Sequence, residues 1–119
     1  MKRAALAGRE DLERLVESFA DSPSVSIDIQ RGPVRVIASL SGGNCAVLVM
    51  AGEDDFYDLI GDRDARGWAT FSHGGQPGDH PRRHFVTREK MLEAVMAVVR
   101  DGKLSAEHEW ERQGAFQTA

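Results

Sequence analysis

Only one cysteine, Cys45, occurs in the 119 residues of the chain, so it can form neither an intrachain disulfide nor a thiolate zinc cluster of its own. Long apolar runs are missing as well. The longest, Cys45 to Ala51, falls far short of the roughly 20 residues that span a bilayer. Behind Met1, Lys2 and Arg3 the apolar stretch ends at Ala7, too short for the core of a signal peptide. These absences lead to the expectation of a reducing, cytoplasmic location, with neither secretion nor membrane insertion. Cations are not in excess: 15 Lys plus Arg stand against 19 Asp plus Glu, a net charge of −4. Nucleic-acid binding relies on cationic groups that displace counterions from phosphates, so a basic protein partner suits this chain better than direct contact with nucleic acid. Ser39 to Asn44 contains two glycines but lacks the lysine and flanking pattern of a P-loop, and no dinucleotide fingerprint is present. A hairpin turn accounts for it.

What remains is ordinary globular material. Hydrophobic content is 41% and charged content 29%, without internal repeat or linker, which fits one domain over residues 1–119. Leu12, Leu15, Val16 and Phe19 fall at i, i+3, i+4 and i+7, predicting an amphipathic helix from Gly8 that stops near Asp21-Ser22-Pro23. The period then changes to two. Val25, Ile27 and Ile29, then Val34, Val36 and Ala38, predict a hairpin around Arg31-Gly32-Pro33. Cys45 to Met50 predicts a strand covered on both faces. Residues 52 to 64 are assigned mostly to loop, Arg66 to Ser72 to a fourth strand, and the glycine- and proline-rich segment His73 to Pro81 to another loop. Phe85 and Val86 are read as a short strand before a second helix.

That helix is specified from both ends. Thr87 is a good N-cap, Glu89 suits the dipole, and Gly102 is placed for a left-handed C-terminal residue. Between them Leu92, Val95, Met96 and Val99, widened by Met91 and Val98, form one apolar face. Ser105 to Arg112 is read as a terminal strand carrying Trp110, and Gln113 to Ala119 as a frayed tail. The expected fold is α+β: an antiparallel sheet of about four to five strands, an N-terminal helix, and a second long helix before the last strand.

Few residues arrange themselves as reactive groups. His73, His80 and His84 cluster within twelve residues and could bind zinc in principle, but the spacing follows no known site and a solvated loop is the simpler reading. Cys45 opens the most apolar run, where a thiol packs as a small hydrophobe with a raised pKa. The acidic stretch is the most distinctive surface. Glu53, Asp54, Asp55, Asp58, Asp62 and Asp64 face Arg63 alone, a local net of −5. With Phe56, Tyr57 and Trp68 as aromatic anchors, these nine residues are the candidate docking surface: charge steers encounter and aromatic burial holds the complex. A solvated loop would explain the carboxylates equally.

The segment from His84 to Glu111, with Val86, Ala94, Gly102, Trp110 and Glu111 at the matching positions, resembles the C-terminal signature of Imm1-type immunity proteins of bacterial polymorphic toxin systems. The resemblance rests on about the last quarter of the chain. It departs from the family where Leu104-Ser105-Ala106 replaces a proline before the terminal strand. What it implies is a cytoplasmic antitoxin without catalytic activity or cofactor, which binds and neutralises a cognate toxin domain. Such toxins often act on nucleic acid, as deaminases or nucleases, and present a basic groove that an acidic surface would fit. Two competing expectations stand beside it: a small α+β enzyme or ligand- or metal-binding domain using His73, His80 and His84, and a homodimer joined through an edge strand.

Overall fold

The computed structural model describes residues 2–3, 10, 14, 17, 24–41, 43–53, 55–73 and 76–113. The fold is α+β. Among the described residues, eight strands, β1 (Lys2–Arg3), β2 (Ser24–Arg31), β3 (Val34–Ser41), β4 (Asn44–Gly52), β5 (Asp55–Leu59), β6 (Trp68–His73), β7 (Gln76–Pro81) and β8 (Trp110–Arg112), accompany the long helix α1 (Arg88–Asp101). A single 3-10 turn, Arg82–His84, follows β7. Strands β1-β2-β3-β4-β5-β8 form one sheet in that order, and β6 with β7 forms a second. Within the large sheet every pair is antiparallel except β1 with β2. Of the helix expected from Gly8 to Asp21, only Glu10, Arg14 and Glu17 are described, all exposed; its apolar stripe lies outside the described residues, as does the tail from residue 114 onward. No described helix is long and apolar enough to cross a membrane.

Alternation in β2 to β5 gives the large sheet two faces of different character. On one, Ile29 pairs with Val36 and Val36 with Val49, while Ile27 pairs with Ala38 and Ala38 with Val47. Met91, Leu92, Ala94, Val95 and Val98 of α1 close over them in a single buried cluster. The helix ends where its sequence says it should. Thr87 Oγ1 accepts from the Lys90 amide at 3.1 Å, and Gly102 takes the left-handed conformation (φ 69°, ψ 21°) with its amide donating to the Val98 carbonyl. Arg31 Nε donates to the Val99 carbonyl and Lys90 Nζ to that of Ile60, fastening both ends of the helix to the sheet.

The opposite face carries a row that crosses five strands: Asp28, Ile37, Leu48, Asp58 and Glu111 are successive register partners. Its centre is apolar and its ends are charged. The β6–β7 hairpin covers this face without joining the large sheet's ladder. Phe71, 1% exposed, packs with Phe85, His73 and His80 beneath it.

Three sequence expectations need correction. Residues 55–59, read as loop because carboxylates crowd them, form β5, since the alternation of Tyr57 and Leu59 against Phe56 and Asp58 fits a strand held between β4 and β8. Part of the loop from His73 to Pro81 is strand β7, with Trp68 opposite Pro81 and Ser72 opposite Pro77; prolines are tolerated there because β7 is an edge. The terminal strand starts at Trp110, not Ser105. Ser105 is engaged locally instead: Oγ bonds His108 Nδ1 at 2.6 Å, and its carbonyl accepts from Trp110 Nε1 at 3.0 Å, a turn that competes with strand pairing. The fourth strand exists, but in the hairpin.

Between β5 and the helix the chain comes unusually close to itself. The Gly61 amide donates to the Arg83 carbonyl at 2.8 Å, and a Cβ on Gly61 would lie 1.9 Å from the Phe85 carbonyl oxygen. Backbone cannot yield as a side chain would. Gly61→Ala is therefore expected to lower stability by about 2–4 kcal/mol, against about 1 kcal/mol for removing the cap in Thr87→Ala. Urea denaturation midpoints of the two variants should fall in that order.

Candidate functional site

Between the second face of the large sheet and the hairpin lies a groove of about 750 Å³. Ile37 and Leu48 form its floor and His73, His80 and Pro77 of the hairpin its wall, with Trp68 also on the lining. One end is charged, because the register row delivers Asp58 and Glu111 there and the turn after β7 delivers Arg83 and His84.

The charged end is a connected network. Arg83 Nε donates to Glu111 Oε1 at 3.0 Å, and its guanidinium reaches the same carboxylate again at 2.9 Å. His84 Nε2 donates to Glu111 Oε1 at 2.6 Å and holds Nδ1 3.9 Å from Asp58 Oδ2. Burial works to raise the Glu111 pKa, but the bonds from Arg83 and His84 outweigh it and hold the carboxyl below its ordinary range. Asp58 differs. Burial pushes its pKa up, only partly opposed by the charge of His84 and the bond that Gln113 Nε2 donates at 2.8 Å.

The hairpin wall has one atom unaccounted for. His73 Nδ1 bonds Ser39 Oγ at 2.6 Å, and Ser39 Oγ bonds Ser26 Oγ at 2.9 Å. His73 Nε2 is buried with no hydrogen-bond partner. Burial first, then the charges of His80 and His84, lower the His73 pKa from 6.5 to about 4. The ring is neutral near pH 7. The three histidines do converge on the groove, but among the described residues no group of three or more His, Cys, Asp or Glu side chains is placed to hold a metal ion. Cys45 is buried, and burial raises its pKa.

The nine docking candidates do not form one surface. Asp58 is 8% exposed and committed to Gln113 and His84, so it cannot meet a partner as a free charge. Asp55 is held by Arg112 at 2.9 Å, a bond that lowers its pKa. Phe56 and Tyr57 are half-buried on opposite faces of β5. Asp54 lies outside the described residues. Glu53, Asp62 and Asp64 are exposed, with Asp62 Oδ1 accepting from the Asp64 amide at 3.0 Å in a tight turn. Trp68 is 62% exposed, the large hydrophobic side chain that stands out among the described residues. Sequence reasoning missed Arg83 and left Glu111 without a site role. The signal for Glu111 lay in the two-residue alternation of β8, unreadable until the register with β5 was known, and Arg83, in the turn after β7, had none.

His73 and Asp58 pull the pH dependence of stability in opposite directions. The unfolded chain accepts a proton at His73 near pH 6.5 that the folded protein refuses until about pH 4. The His73 contribution is therefore complete above pH 6.5 and lost as pH falls to about 4, roughly 3 kcal/mol in all. For Asp58, whose folded pKa is raised, the contribution is present at low pH and lost as pH rises through that value. His73→Phe should flatten the decline in urea midpoint between pH 6.5 and 4, whereas Asp58→Asn should improve relative to the parent as pH rises. An unchanged slope in His73→Phe would show that the acid limb arises elsewhere.

No family model, no curated protein and no solved structure matches this chain in comparisons of sequence and structure.

Proposed function

We propose that the protein is a non-catalytic immunity protein, acting in the cytoplasm, which binds and neutralises a cognate bacterial toxin domain that works on nucleic acid. The resemblance of the His84 to Glu111 segment supports this reading, and one structural observation carries it. Trp68 stands 62% exposed at the junction of the groove with a smaller polar concavity formed by Arg63 to Gly67 and Arg83. A large aromatic ring held in water between two concavities is costly unless something covers it, and tryptophans in such settings are frequent binding hot spots. Exposed Asp62 and Asp64 lie a few residues before it in the same connection.

The docking surface is accordingly narrower than the sequence suggested. Trp68 supplies the anchor, and Glu53, Asp62 and Asp64 supply the field that speeds encounter with a basic groove. Asp55 and Asp58 hold the fold together instead.

Co-expression and co-purification with the product of the gene immediately upstream would test the reading. A stable complex that relieves growth arrest is expected. Trp68→Ala should weaken it roughly thirtyfold or more, as loss of a hot spot does. Glu53→Lys with Asp64→Lys should slow association at low salt and have little effect at high salt, where screening removes the field; Asp62 is left intact because it caps its own turn. Absence of both complex and protection would overturn the proposal.

A further inference from the structure

We propose that the groove between the sheet and the hairpin binds a neutral, planar heteroaromatic ring bearing a hydrogen-bond donor beside an acceptor, the chemistry of a nucleobase in a free nucleoside, with His73 Nε2 as the anchoring atom. Its shape is the first argument. At about 750 Å³ the groove falls in the size range of small-molecule sites, and it joins an apolar floor to a few convergent polar groups. The ring walls of His73 and His80 stand 5.8 Å apart in an edge-on arrangement, offering π-faces and C–H edges of the kind that flat ligands pack against.

The unsatisfied nitrogen is the second argument. A buried polar atom without a partner costs free energy that a ligand can recover. Ser39 Oγ can either donate to His73 Nδ1 or accept from it, so Nε2 is correspondingly a donor or an acceptor. A ligand edge with both functions satisfies either state. Carboxylates and phosphates satisfy only one. An aliphatic ligand leaves Nε2 as it was.

Access follows from the topology. The hairpin is attached through side chains such as His73 and Phe71 and shares no ladder with the large sheet. A ligand that reaches Nε2 would have to displace the hairpin, which the β2 to β5 ladder does not include. The same chemistry occurs in single-stranded RNA, but the net charge of −4 opposes a polyanion, favouring the free nucleoside.

The test is titration of the whole protein with adenosine, with cytidine and with a short oligoadenylate, followed by NMR of the histidine rings and by tryptophan fluorescence. Saturable shifts of the His73 ring signals with a nucleoside are expected. His73→Phe should weaken that binding roughly tenfold, as loss of one buried hydrogen bond does. Should His73→Phe fail to fold, His73→Gln is expected to retain more affinity than His73→Leu. No saturable shift with either nucleoside, affinity indifferent to residue 73, or preference for the oligonucleotide would each overturn the proposal. Toxin binding enters none of these measurements, so the two proposals stand or fall separately.

Discussion

The structure depends on covering both faces of one antiparallel sheet, and the two covers are made of different physics. On the helix side the solution is apolar burial, with Val36, Val49, Met91 and Val95 all inaccessible to solvent, a contribution that grows with area and asks little of geometry. On the hairpin side the sheet brings Ser26, Asp28, Ser39 and Asp58 out of water. Groups of that kind are tolerable only when paired. Arg35 forms two bonds to Asp28, at 2.7 and 2.5 Å, Ser26 and Ser39 bond each other, and Gln113 reaches Asp58. The polar groups of that face are therefore held by hydrogen bonds around its apolar centre, and His73 is the place where the pairing stops short.

Much of the helix-side cover was legible in the sequence. The 3.6-residue stripe of α1, its Thr87 and Gly102 caps, and the alternation through β2 and β3 are local signals, each decided within a few residues of chain. The α+β class followed from them. Misreadings cluster where partners are distant. β5 holds carboxylates on both sides of its alternation, and only its placement between β4 and β8 shows why Asp58 and Glu111 share a face. Strand β7 contains two prolines and a glycine, a composition that reads as loop until its position at an edge is known.

The candidate site was legible only in part, for the same reason. Trp68 was identifiable as an aromatic anchor in the expected fourth strand, and it is the exposed one. A count of charges grouped Asp55 and Asp58 with Asp62 and Asp64, yet charge along a sequence does not distinguish a carboxylate facing solvent from one turned toward an arginine or under a hairpin. The histidines drew attention as possible ligands for a metal. Their observed arrangement is three rings with different duties: His84 binds Glu111, His73 binds Ser39, and His80 packs against Phe71.

The separation of the β6–β7 hairpin from the main ladder has a consequence for how such a molecule can diverge. A strand inside a ladder constrains its neighbours through register, so an insertion or a face change spreads across the sheet. Here the covering piece is held chiefly by its own buried Phe71 and by the Ser39–His73 bond. Outward positions such as Thr70 and Asp79, bonded to each other at 3.3 Å on the exposed side, are outside that constraint. Descendants of this chain could exchange what the hairpin displays, generation after generation, while inheriting the same sheet and helix underneath.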